Sequence, residues 1–238
     1  MKALVLAAGL GKRMRPLTYE HPKPLLMAHD HHLIDWAIAG LVRAGVTDLV
    51  INAAHLSSQF EPTLGKSRLG ASLSYSIEGE TWDDALETLG GIAKAFPLLT
   101  DGVEPFIVVA GDIASDFNFS RLVAKRDALV NGDIDAHFVL VPNPDFHPEG
   151  DMGLEDGFIT RASKAYTFSS IGIYSPRIFK GIAATHQKLF PWLYQWIDQK
   201  RVTGEVFEGF WQNVGTPEAL NELSDACRLG KVPTPHVL

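Results

Sequence analysis

Three short stretches carry residue types that could handle a polyphosphate. The first, Ala7-Ala8-Gly9-Leu10-Gly11-Lys12-Arg13-Met14-Arg15-Pro16-Leu17-Thr18, sets a Gly-x-Gly ahead of Lys12, Arg13 and Arg15. Glycines let backbone amides come close to a phosphate, and the cations would neutralise it. The run lacks the Gly-Lys-Ser/Thr of a Walker A loop and the third glycine of a dinucleotide fingerprint, so by itself it also fits a plain strand-to-loop turn. The second stretch is Pro22-Lys23-Pro24-Leu25. Its prolines fix the backbone around one lysine and aim it, although a rigid surface turn reads the same way. The third is Gly111-Asp112, directly after the apolar run at 106–110. A carboxylate there is a hard oxygen donor suited to Mg²⁺, or else a turn cap.

Elements that would position these residues follow from hydrophobic periodicity. Residues 2–7 form a continuous apolar run that reads as a strand buried on both faces. Leu33, Ile34, Ala37, Ile38, Leu41 and Val42 recur at helical spacing, with Gly45 at the C-terminal end. Strands are expected at 48–52, 72–77, 106–110, 136–141 and 166–174, and helices at 85–96, 119–130, 190–199 and 217–228. The Pro/Gly/Asp-rich stretch 142–157 reads as irregular, and Trp192, Tyr194 and Trp196 as packing residues of their helix. Strands separated by helices predict an α/β fold with a mostly parallel central sheet flanked by helices, whose ligands bind at the carboxyl ends of the strands. One domain over 1–230 is expected, with a loosely held tail at 231–238.

Bulk properties narrow the partners. With 28 acidic against 21 basic residues the formal charge is -7, and no Lys/Arg run suggests nucleic acid. A phosphorylated ligand must therefore be held by a few placed cations, backbone amides and a metal. Cys227 is the single cysteine, which excludes an internal disulfide and points to a reducing compartment. No apolar run is long enough for a signal peptide core or a membrane span, so a cytoplasmic location is expected. His29, His31 and His32 surround Asp30, but neighbouring histidines cannot easily share one tetrahedral zinc site and no cysteine is near. They read as a solvated turn ahead of a helix.

Taken in order, the glycine loop, Pro-Lys-Pro-Leu and Gly-Asp resemble the signature of sugar-1-phosphate nucleotidyltransferases. Ala44-Gly-Val-Thr, Val50-Ile-Asn, Glu78-Gly-Glu, Leu86-Glu-Thr, Gly90-Gly-Ile, Asn143-Pro, Thr167-Phe-Ser and Trp211 to Thr216 extend the resemblance over nearly the whole chain. It is nearest to the short bacterial enzymes that join UTP and N-acetylmuramate 1-phosphate in peptidoglycan recycling. Guanylyl transfer to mannose 1-phosphate, and thymidylyl or uridylyl transfer to glucose 1-phosphate, are the alternatives. A non-catalytic nucleotide-sugar sensor is the alternative of another class.

The resemblance implies a Rossmann-like, glycosyltransferase-A-like fold and a monomer or small homo-oligomer. It implies catalytic roles for Arg13, Lys23 and Asp112, and a nucleotide site of Ala7, Ala8, Gly9, Gly11, Lys12, Arg13, Lys23, Glu78, Gly79 and Gly90. Glu87, Thr88, Gly111, Asn143 and Asp151 are implied for the sugar phosphate, and Mg²⁺ on Asp112 with a second residue. That second ligand comes from a Trp-x-Asp-Val-Gly-Thr motif, read here as Trp211-Gln212-Asn213-Val214-Gly215-Thr216, so Asn213 stands where an aspartate is expected. Its amide oxygen can ligate a hard cation but brings no charge. Leu89, where small residues are usual, and the extra residues around 82–84 also depart from the pattern; they flank the implied nucleotide and sugar pocket and either retune the acceptor or lengthen a surface loop, the loop being the preferred reading.

Overall fold

Alternate residues of a buried strand face opposite layers, and β1 (Lys2–Leu6) shows this directly. Ala3 and Val5 pack with Ile34, Ile38 and Leu41 of α1 (Ile34–Arg43), whereas Leu4 packs with Leu89, Ile92 and Leu99 on the other face. The computed structural model describes residues 1–236, the side chain of Trp82 excepted. Between β1 and α1 lies a hairpin of β2 (Met27–Ala28) and β3 (His31–His32). The chain continues through β4 (Asp48–Ala53), α2 (Phe60–Leu64), β5 (Ser67–Arg68), β6 (Ala71–Ile77) and α3 (Glu87–Leu99). β7 (Phe106–Ala110), β8 (Ile113–Ser115), α4 (Ser120–Val123), α5 (Arg126–Asn131) and β9 (Ala136–Pro142) follow. The last part holds β10 (Gly153–Glu155), β11 (Phe158–Thr160), β12 (Tyr166–Tyr174), α6 (Leu189–Trp192) and α7 (Tyr194–Asp198). β13 (Val202–Val206), β14 (Trp211–Asn213) and α8 (Pro217–Arg228) complete it.

Ten strands form one sheet in the order β10-β11-β13-β9-β12-β7-β1-β4-β6-β5. β7, β1, β4 and β6 are mutually parallel, as expected of the centre, but β12 runs antiparallel between β7 and β9. β13 is parallel to β9 and the edges are antiparallel. An apolar run reports burial and not direction, so β12 was legible as a strand and its reversal was not.

Several expected elements shift. The stretch 142–157, read as irregular, contributes β10 and leads into β11 through Asp156-Gly157, both at positive φ. Such an Asp-Gly pair suits a tight two-residue hairpin. The helix expected at 85–96 begins at Glu87 and runs past Pro97 to Leu99, while those at 119–130 and 190–199 are each divided in two. His31 is buried rather than solvated, lying edge-on to Trp36 and His236. Burial pushes its pKa down. The C-terminal segment also packs: the Trp36 Nε1–H donates to the Pro233 carbonyl at 3.0 Å, and Pro235 is buried. Val237 and Leu238, the end of the tail expected to be loosely held, lie outside the described residues. Among the described residues no helix is long and apolar enough to cross a membrane.

At the other end of the sheet Asp135 anchors the start of β9. Its carboxylate accepts from Arg177 Nε at 2.5 Å and Arg201 Nε at 2.7 Å, and both guanidiniums also donate to carbonyls at the end of α5 and just beyond it. Removing one member of a buried ionic network leaves the others uncompensated. Asp135→Ala should lower the unfolding free energy by about 3 kcal/mol in urea titrations, whereas a change under about 0.5 kcal/mol would show the network to be incidental.

Candidate active site

A cavity of about 720 Å³ opens along the carboxyl ends of β1, β4 and β7. Each stretch singled out by its chemistry contributes to its lining. After β1 the chain turns at Gly9 and at Gly11, where φ is +56°. A Cβ at Gly11 would lie 2.8 Å from Thr18 Cγ2 and 3.2 Å from Lys23 Cβ, so glycine is required there by conformation and by space. The Thr18 hydroxyl donates to the Gly11 carbonyl at 2.9 Å and closes the loop. A single helical turn, Lys12–Met14, then sends Lys12 and Arg13 to the cavity while Met14 is fully buried among residues of α1 and α8. The Arg13 guanidinium lies over Gly215, where a Cβ would stand 3.2 Å from its nearest nitrogen.

Lys23, held in a turn begun by Pro22, is only 8% exposed. Its ammonium is paired with the carboxylate of Asp112. Asp112 follows β7 because Gly111 N–H continues the ladder by donating to the Leu6 carbonyl at 2.8 Å. The carbonyl of Asp112 accepts from Val214 N–H at 3.1 Å, and antiparallel pairing of β14 with β8 sets Asn213 opposite Ile113. Asn213 thereby stands beside Asp112. Its Oδ1 is buried without a hydrogen-bond partner although the residue lines the cavity.

A third wall is wired to the glycine loop by Asn52, at the end of β4. Its Oδ1 accepts from Ala7 N–H at 2.8 Å and its Nδ2 donates to Glu78 Oε1 at 2.6 Å. The other oxygen of Glu78 accepts from Leu86 N–H at 2.8 Å, just ahead of α3. Burial pushes the Glu78 carboxyl upward, with the Leu86 and Asn52 donors opposing it. Gly91 makes room for the arrangement, since a Cβ there would be 2.6 Å from Glu78 Oε1. Asn52 was missed as a site residue; the signal was an amide directly after the apolar Leu49-Val50-Ile51 of β4.

Of the expected site residues, Ala7, Ala8, Gly9, Gly11, Lys12, Arg13, Lys23, Glu87, Thr88, Asp112 and Asn213 all line this cavity. Glu78, Gly79, Gly90 and Gly111 support its walls from behind: Gly90 N–H donates to the Gln187 carbonyl at 3.2 Å, and a Cβ on Gly79 would collide with Asp84. Asn143 and Asp151 lie apart from the lining, in the loop after β9, with their side chains engaged there. Asp83, in the stretch read as a lengthened surface loop, lines the cavity, and Leu89 of the same reading is buried within α3. Ser170 and His186 line it without having been expected to, and His186 Nε2 is 3.9 Å from Glu87 Oε1.

Lys12, Arg13 and Lys23, the residues of the glycine loop and the carboxylates Asp83, Glu87 and Asp112 thus line a common space, and the cations are equipment for gathering phosphates. Among the described residues no group of three or more His, Cys, Asp or Glu could hold a metal. The donors present are the Asp112 carboxylate and the orphaned Asn213 amide oxygen. Both are hard oxygens and fit a divalent cation that takes its remaining ligands from water and phosphate.

Residues 2–157 match the family model described as nucleotidyl transferase. The chain belongs to that family, and within it to the sugar-1-phosphate nucleotidyltransferases. It is 43% identical over 228 residues to the N-acetylmuramate alpha-1-phosphate uridylyltransferase of Neisseria meningitidis serogroup B, an alignment covering 93% of this chain and 96% of that one. It is 30% identical to mannose-1-phosphate guanyltransferase beta-A of Xenopus laevis over 92% of this chain and 62% of that relative's length. The fold matches a Bacillus anthracis protein described provisionally as a glucose-1-phosphate thymidylyltransferase and solved with sucrose, at TM-score 0.80 and 20% identity, covering 99% and 98% of the two chains.

Asn52→Ala would leave Ala7 N–H and a Glu78 oxygen without their buried partner. The expected outcome is a melting temperature lower by about 5 °C, together with a raised KM for the nucleotide in initial-rate measurements. An unchanged KM would separate Asn52 from the loop's function.

Proposed function

We propose that this protein transfers the uridylyl group of UTP to N-acetylmuramate 1-phosphate, yielding UDP-N-acetylmuramate and pyrophosphate, in cytoplasmic recycling of peptidoglycan sugars. The observation that carries the reaction is the convergence of Arg13, Lys23 and Asp112 on one cavity. Choice of UTP and N-acetylmuramate 1-phosphate is supported by the 43% identity to a relative of that name over almost its full length. Cys227 as the single cysteine accords with the compartment.

In this reading the amides around Gly9 and Gly11 cradle the triphosphate, and Arg13 holds the β- and γ-phosphates and stabilises the departing pyrophosphate. Lys23 spans the reacting phosphates. An oxygen of the sugar 1-phosphate, already ionised near neutral pH, attacks the α-phosphorus in line. The new O–P bond forms as the bond from the α-phosphorus to the bridging oxygen breaks, and no general base is needed. Mg²⁺ held by Asp112 and Asn213 would supply further neutralisation of the phosphate charge. What the chain itself contributes is positioning and fixed positive charge.

A pyrophosphate-release assay with four NTPs and a panel of sugar 1-phosphates tests the reading. UTP with N-acetylmuramate 1-phosphate should give the highest kcat/KM; a preference for GTP with mannose 1-phosphate would reassign the substrates, and binding without release would point to a sensor. Lys23→Ala should lower kcat by about a hundredfold or more while circular dichroism stays native. Because Asn213 brings no charge, Mg²⁺ should bind the nucleotide-free protein weakly. Calorimetric titration of Asn213→Asp should show binding at least about tenfold tighter, the scale of an added charged ligand; equal affinities would remove Asn213 from the ligand set.

A further inference from the structure

Sheet order divides the cavity. The glycine loop follows β1 and Asn52 ends β4, whereas Asp112 follows β7, and the next strands outward are β12 and β9. Strands in a sheet are about 4.8 Å apart, so β9 stands about 10 Å from β7, a span comparable to a substituted pyranose. On the reading proposed above, a nucleotide over β1 and β4 with its phosphates at Asp112 leaves the acceptor sugar this second half. Ser170 of β12 already lines it. The loop after β9 stands at its outer edge.

That loop is braced at many points to present one aromatic ring. His147 N–H donates to the Pro144 carbonyl at 2.8 Å, closing a turn with Phe146 near its tip. Asn143 Nδ2 donates to Pro148 O at 3.3 Å and Lys164 O at 3.0 Å, and Asn143 Oδ1 accepts from the Thr167 hydroxyl at 2.9 Å. Asp151 accepts from Phe168 N–H at 2.9 Å and lies 3.0 Å from His147 Nε2. Gly150 has φ +63°, and a Cβ there would collide with the Lys164 carbonyl.

Phe146, 58% exposed, stacks on Trp211 with centroids 6.5 Å apart and planes 25° from parallel. Trp211 Nε1–H donates to the Ser169 carbonyl at 3.1 Å, next to Ser170. Two residues along β14, Asn213 shares the strand face of Trp211. The Phe146–Trp211 stack lies outside the cavity lining itself, tied by Trp211 to the two stretches that bring Asn213 and Ser170 into it. Single exposed aromatics are ordinary on a protein surface. A ring fixed by a stapled loop and stacked on the strand that carries Asn213 into the cavity is not.

We infer that Phe146 is a specificity-determining contact for the acceptor, an apolar surface that favours a sugar 1-phosphate carrying methyl-bearing substituents over an unsubstituted hexose 1-phosphate. N-acetylmuramate 1-phosphate has such groups in its acetamido and lactyl arms. Asn143 and Asp151 then serve the acceptor by bracing the loop, not by touching the phosphate.

The test is steady-state kinetics of Phe146→Ala and Phe146→Leu at saturating UTP, with glucose 1-phosphate as a competitor. Phe146→Ala should raise the KM for N-acetylmuramate 1-phosphate about tenfold, the scale of a lost apolar contact. The KM for UTP and the inhibition constant of glucose 1-phosphate should hold, and Phe146→Leu should retain most of the preference. An unchanged acceptor KM, or equal weakening of both sugars, overturns the inference while the proposed reaction stands. A wild-type enzyme that does not use N-acetylmuramate 1-phosphate overturns both.

Discussion

A lysine almost removed from water needs a counter-charge, and Lys23 has it in Asp112. The pair joins two parts of the chain that have no other reason to meet: a proline-fixed turn before the first helix and the end of the fourth strand of the parallel core. The protein carries a formal charge of -7, so its overall field repels phosphates. Any polyanion it binds must be attracted locally, by cations held too firmly to be neutralised elsewhere on the surface. Around the Lys23–Asp112 pair the remaining polar groups are arranged with the same economy. Arg13 lies against Gly215, and Asn213 keeps an unpartnered amide oxygen beside the Asp112 carboxylate.

Rigidity of this centre is distributed through short hydrogen-bonded links, not supplied by one element. The Asn52 amide couples the glycine loop to Glu78, and Glu78 couples both to the approach of α3. Gln187 in turn accepts from the first amides of α3 and ties the segment bearing His186 to the same helix. The loop after β9 is tied down in the same way, through Asn143, Asp151 and Trp211. Buried groups such as Asn52 and Glu78, with their partners in place, specify one geometry because each alternative leaves a desolvated group unpaired.

Motif residues were more legible than their neighbours. Arg13, Lys23 and Asp112 stood out because their types are costly or unusual next to glycines, prolines and a buried strand, and they share one cavity. Asn52, quoted only within Val50-Ile-Asn, did not stand out as a site residue although it bonds both Ala7 and Glu78, because a single amide after an apolar run carries no periodic signal. Phe146 sat in a stretch read as irregular, and its stacking on a residue 65 positions away could not be seen from spacing. Short strands such as β8, β13 and β14 were missed for a related reason: three to five residues give too few repeats to establish a period of two.

Sequence by itself determined the strands with continuous apolar runs, the helix faces packed against them, the glycine loop and the order of the reacting groups, since all of these rest on local chemistry and short-range periodicity. Tertiary structure decided the direction of β12, the pairing of β14 with β8 that brings Asn213 to Asp112, the burial of His31 and the engagement of Asn143 and Asp151 in their own loop. Those are contacts between residues far apart in the chain. They arise from which surfaces are left to be covered once the core has formed, and no residue's own type announces its distant partner.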